Sequence, residues 1–268
     1  DGLIVVYACV NSRQDCFQRR MSDPQNSNLP VSAKARSPRT WDFMETTFVV
    51  LIAYAVFGLT GGYGAAIILT MQDGVGKLTP AQLQEFAMQG RWFGVASIVA
   101  CPPTLAVLWV AIRMAGRDFA EYLALKWPSR NEVLVAFAVM AALIAVQYGL
   151  WPYGSSVNSP FVAGGVGGLF VLLVGGCLAG PITEEFVFRG FMFRGWSESF
   201  LGPIGAIVLT SALFGVWHTQ YDWLVRFWIF LVGLALCSFR WRSNSTWLTV
   251  VAHSAVNIFI FFLSGPYV

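Results

Sequence analysis

The residues able to do chemistry lie in three short stretches. "PITEEFVFRG", residues 181–190, sets Glu184, Glu185 and Arg189 in one of the most apolar parts of the chain; "LFGVWH" ends on His218; "HSAVN" holds His253 and Asn257. There are only two histidines, and both fall in or at the edge of apolar runs. A charged group there costs a few kcal/mol, so its presence points to function. On a helix Glu185 and Arg189 stand four apart with glutamate first, the favourable order for an ion pair. Glu184 is turned about 100° away and has no such partner. One carboxylate is therefore neutralised, as it would also be in a purely structural tie between helices, and the other is spare. Phe214 shares a helix face with His218, and His253 with Asn257.

The chemistry open to such a set is narrow. A desolvated glutamate can take a proton from water, and a neutral histidine can orient or share that water. A second histidine and an asparagine amide can donate to a developing oxyanion. Together these steps hydrolyse a peptide bond without a covalent intermediate. The chain has neither a GxSxG elbow nor an HExxH helix, which excludes a serine hydrolase of that type and an ordinary zincin.

The elements that must position these groups are membrane helices. Of 268 residues 56% are hydrophobic and 12% charged, with mean hydropathy +0.62, whereas a soluble domain is usually about a quarter charged. Seven apolar runs are long enough to span a bilayer, at roughly 46–70, 92–113, 132–152, 166–195, 202–219, 224–240 and 246–264. With the N-terminus in the cytoplasm, fourteen Lys and Arg residues fall on the inside segments, while Lys77, Arg91 and Arg226 fall outside, a clear positive-inside bias. The fourth run is rich in glycine. Gly176 and Gly180 form a GxxxG pair suited to close helix approach, and Pro181 is expected to kink the helix just before the glutamates. Two connectors carry helix signals: Thr79 to Gly90, with Thr79 as cap and Gly90 as terminator, and "DFAEYLALKWPSR", with Tyr122 and Trp127 as interface anchors. Cys101, Cys177 and Cys237 lie in apolar runs and read as small buried hydrophobes. The chain begins with Asp1; residues 1–20 are read as lying upstream of a natural start at Met21, and the segment to about residue 40 as a disordered cytoplasmic tail.

"EEFVFR" has the form EExxxR, "FGVWH" the form FxxxH and "HSAVN" the form HxxxN. In this order and in apolar context the three resemble the CPBP family of intramembrane proteases, which includes the type II CAAX prenyl endopeptidases and bacterial relatives, some linked to bacteriocin immunity. The resemblance covers about residues 160–262, and three motifs in order are fairly specific. It implies that Glu184 activates water together with His218, that His253 and Asn257 stabilise the oxyanion, and that Glu185, Arg189 and Phe214 support them. The family is often labelled metalloprotease, and a metal-free glutamate mechanism is also argued for it. Glu184, His218 and His253 would supply the three ligands of a catalytic metal site; no cofactor is favoured, and a divalent metal such as zinc is the alternative.

The expectation is thus an all-α, polytopic transmembrane bundle of about seven spans around a polar intramembrane cavity. A tail occupies 1–40, N-terminal transmembrane helices 41–160 and the helices bearing the three motifs 161–268. The expected function is an intramembrane endopeptidase with a peptide or membrane-protein substrate, no nucleic-acid partner and a place in the bacterial plasma membrane. The rivals are a non-catalytic immunity or scaffold relative and a proton-coupled transporter. The latter would normally show two related halves with paired broken helices, and no internal repeat is evident.

Overall fold

Hydrocarbon admits no unsatisfied backbone, so a chain this apolar can span it only as helices or a closed barrel. The described residues contain no strand. The computed structural model describes residues 39–73, 90–150 and 165–263. They form α1 (Phe43–Asp73), α2 (Gly90–Met114), the short α3 (Phe119–Tyr122), α4 (Arg130–Leu150), a composite helical run α5 over 165–197, α6 (Gly202–Trp217), α7 (Trp223–Ser243) and α8 (Thr246–Leu263). Seven of these answer to the seven apolar runs. Five are long and apolar enough to cross a membrane, and α6 and α8 are shorter apolar helices. The outer faces remain apolar: Phe48, Leu51, Leu59 and Ile67 of α1 are all exposed, as lipid-facing surface must be.

Helix ends follow their residues. Asp118 caps α3, accepting from the Glu121 amide, and Asp222 caps α7, accepting from Leu224 and Val225, in each case satisfying donors that have no partner within the helix. α7 stops at Asn244, whose left-handed backbone (φ 49°) suits asparagine. Gly202, at φ 61°, turns the chain into α6.

Gly90 is buried as the first residue of α2; the rest of the helix expected over 79–90 lies outside the described residues, as does the tail to residue 38. Two expectations are corrected. In the inner connector only Phe119–Tyr122 is helical, and Tyr122 is no interface anchor. It is fully buried, with its ring 5.4 Å from Phe191 and its hydroxyl accepting from the Trp41 amide at 3.3 Å. Trp127 is exposed. Finally, the close approach of the glycine-rich run is made by Gly175 rather than by the Gly176–Gly180 pair. Gly94 of α2 and Gly175 meet backbone to backbone, with no room for a Cβ on either, whereas Gly176 faces the Phe93 ring.

Candidate active site

The run α5 is helical throughout but changes gauge. It is α over Gly165–Val174, π over Gly175–Ala179, α over Gly180–Glu185, π over Phe186–Met192 and α over Phe193–Ser197. Pro181 therefore sits at the start of an α segment directly after a π turn, where its missing N–H and its ring are accommodated without breaking the helix. One carbonyl is left over. The Gly180 amide bonds to Gly175 rather than to Gly176, and Pro181, the next candidate donor, has none. The Gly176 oxygen instead accepts from Asn257 Nδ2 of α8 at 3.0 Å. A proline and a π turn thus create the acceptor that locks Asn257 in place.

Both glutamates lie on the central α segment of this run, and their environments differ sharply. Glu185 is fully buried; its Oε1 receives Arg189 Nη1 at 2.7 Å and His253 Nδ1 at 2.8 Å. Arg189 is the largest fully buried side chain in the described structure, and its guanidinium lies over the Phe214 ring at 4.1 Å. Such a desolvated cation–π contact is worth ~2 kcal/mol. Glu184 is 27% exposed, and its Oε2 stands 3.9 Å from His253 Nε2, beyond hydrogen-bonding distance, with no hydrogen-bond partner among the described residues. His253 is thus held between the two carboxylates, bonded to one and facing the other.

His218 is the first residue past the end of α6, with ψ 58° outside the helical range. Its Nδ1 lies 2.7 Å from the carbonyl oxygen of Phe214. A carbonyl only accepts, so Nδ1 carries the proton, and Nε2 of the neutral ring carries the lone pair. Phe214 packs edge-on against both imidazoles, at 4.7 Å from His218 and 5.8 Å from His253. It therefore contacts Arg189 and both histidines at once.

Glu184, His218, His253 and Asn257 line one cavity of about 400 Å³, together with Tyr221, Ser97, Gln147 and a larger number of apolar side chains. Straight spans of the lengths expected from the apolar runs would leave these residues at different depths. They meet because α6 stops after sixteen residues, so that His218 lies at its end, and because α5 shifts register through its π turns. The Tyr221 side chain also lines this cavity, its ring 6.3 Å from that of His218.

Sequence reasoning did not identify the Glu185–His253 bond, the Gly176 carbonyl or Tyr221. The second of these left a trace: a proline five residues after Gly176 removes one of that carbonyl's donors. The metal set fits poorly. Among the described residues no three His, Cys, Asp or Glu side chains gather in a way that would hold an ion.

Residues 165–259 match the family described as type II CAAX prenyl endopeptidase Rce1-like. Among curated proteins the chain is similar to the "Putative membrane peptidase YdiL" of Bacillus subtilis (strain 168). The two are 23% identical over 203 residues, a stretch covering 73% of this chain and 80% of that protein. No solved structure matches.

Proposed function

We propose that this chain, whose three motifs and matched segment resemble the CPBP family of intramembrane proteases, is a glutamate-dependent endopeptidase that cleaves a peptide bond inside the bilayer. The observation that carries this reading is the division of labour between neighbouring carboxylates. Glu185 is committed to Arg189 and His253, while Glu184 lines the cavity with no hydrogen bond on its Oε2 and with His253 Nε2 3.9 Å away. Glu184 takes a proton from water as the water oxygen attacks the peptide carbonyl carbon, with the His218 Nε2 lone pair orienting the second water hydrogen. The carbonyl becomes an oxyanion. Asn257 has one amide N–H on Gly176 and a second left to donate; His253, its ring held through Nδ1 by Glu185, is the second donor when its Nε2 carries a proton.

Collapse of the intermediate breaks the C–N bond, and the proton on Glu184 passes to the leaving amine. A peptide or membrane-protein segment is the substrate. The positive-inside bias supports a cytoplasmic N-terminus, in the plasma membrane of a bacterium.

Glu184→Gln keeps the shape but cannot accept a proton. With purified protein and a peptide library in detergent, cleavage should fall by about 10²–10⁴-fold while the melting temperature holds; undiminished cleavage by this variant would sink the mechanism. Exhaustive chelation should leave the rate unchanged. A loss that zinc restores would replace the metal-free reading with Lewis-acid chemistry.

A further inference from the structure

The wall of the cavity beside His218 is a turn, Trp217 to Tyr221, each residue of which lines the cavity. Turns at membrane depth are tolerated only where their backbone groups find partners, and the last carbonyls of a helix have none within it. The turn's own amides supply some of them, with Thr219 N–H donating to the Trp217 carbonyl at 2.8 Å and Tyr221 N–H to that of His218 at 3.1 Å, and a single side chain ties three carbonyls of the turn together. Arg226, one turn into α7, donates from Nε to the carbonyl of His218 at 3.1 Å and of Tyr221 at 2.8 Å, and from Nη2 to that of Thr219 at 2.7 Å. The same guanidinium lies over the Trp223 ring at 4.7 Å. A planar fork of fixed donors can hold three carbonyls in one arrangement, which a lysine ammonium on its flexible stem cannot.

His218 is thereby fixed at two points. Its ring is tied back to Phe214 through Nδ1, and its carbonyl accepts both from the Tyr221 amide within the turn and from Arg226 of the next helix. The spacing between the two helices is set independently. A Cβ on Gly215 would come within 2.8 Å of the Arg226 carbonyl and 3.1 Å of Phe230 Cβ, so the last turn of α6 sits directly on the first turns of α7. We propose that Arg226 is the positioning residue of this site: it holds the turn so that the His218 ring keeps its Nδ1–H on Phe214 and presents Nε2 to the cavity. This rests on the function proposed above only for the use to which Nε2 is put.

The two histidines make the test direct. With ¹⁵N-labelled histidine in the full-length protein in detergent, the imidazole spectrum contains two spin systems, assigned through His253→Gln. Wild type should show His218 as a single tautomer protonated at Nδ1. Arg226→Gln should convert His218 to an exchange-averaged tautomer mixture and leave His253 as it was. Arg226→Lys, which keeps the charge but not the fork, should do the same. In cleavage, kcat should fall by about 10–10²-fold with little change in KM, as expected of a misplaced catalytic group. A His218 pattern unchanged in both variants overturns the proposal. So does simultaneous loss of both histidine patterns in both variants, which would make Arg226 a support of the fold at large. A shifted His218 pattern in a protein whose wild type cleaves nothing supports the positioning role and overturns the protease reading.

Discussion

Two ionic clusters in this molecule are each built on a glutamate–arginine contact of 2.7 Å between residues four apart, and have opposite surroundings. In the first, Glu185 joins Arg189 at 2.7 Å and His253 at 2.8 Å, with both members of the Glu185–Arg189 pair at most 1% exposed. In the second, at the helix ends around α3, Glu121 joins Arg117 at 2.7 Å and Arg194 at 3.4 Å, and Arg194 joins Glu198 at 2.6 Å, with Glu121 and Glu198 nearly half exposed. Distance alone would rank the clusters together. Solvation separates them, because an exposed pair is screened and worth ~0–1 kcal/mol. A buried pair gains little over apolar packing, yet it is costly to break. The buried cluster is therefore better understood as a device that fixes His253 than as a source of stability. The rim cluster gathers around the buried Tyr122 ring, with Arg194 and Arg117 lying 5.6 and 5.9 Å from it, and organises a connector.

Breaking the buried cluster should give the largest effect. Glu185→Ala strands Arg189 and frees His253 Nδ1, and the loss should be about 3–5 kcal/mol. Glu184→Ala removes a carboxylate whose contact with His253 Nε2, at 3.9 Å, is longer than a hydrogen bond, and should leave thermal stability near wild type. Equal melting temperatures for the two variants would show that the Glu185 cluster is solvated and the contrast false. Phe214→Leu keeps the pair but removes the ring under Arg189, and should cost ~2 kcal/mol, read from denaturation midpoints in detergent. Glu121→Ala should cost no more than ~1 kcal/mol, shrinking further in molar salt, whereas the Glu185→Ala loss should not respond to salt. The smallest effect is in pH. Hydrogen bonding to Arg117 holds the Glu121 carboxyl below its ordinary value of 4.5. Its contribution is therefore full above that value and fades as pH falls through the folded-state pKa. A melting curve of Glu121→Gln against wild type should converge with it in acid and diverge toward neutrality.

Much of this was legible in the sequence, and the boundary of what was not has a physical shape. The seven apolar runs give the spans because hydrophobicity and length are local properties. The contrast between Glu184 and Glu185 was readable because the Glu185–Arg189 pair is one helical turn long. His253 on Glu185 is a contact across 68 positions, and no spacing rule reaches it. The π turn ahead of Pro181 was not legible, because a proline signals only a missing donor and a crowded ring, while the widened turn that accommodates them runs over Gly175–Ala179. Tyr122 was misread because an aromatic residue with a polar tip suits both a membrane interface and a buried hydrogen bond; the Trp41 amide that decides the case lies 81 residues away. Arg226 was counted as an outside charge, yet its donors are committed to three backbone carbonyls, a target that leaves no mark in residue identity.

The brevity of α6 bears on the lipid as well as on the protein. Sixteen residues make about 24 Å of helix, roughly 6 Å less than an average hydrocarbon core. Headgroups must dip, or acyl chains compress, on that side of the bundle, at a cost of fractions of a kcal/mol per ångström. The depth at which His218 meets the cavity is then coupled to acyl-chain length. Thin bilayers relieve the mismatch and thick ones load it onto the turn that Arg226 holds. Reconstitution in vesicles of graded chain length should give a turnover rate that falls as the bilayer thickens, and a rate indifferent to thickness would show that the annular lipid adapts without straining the protein.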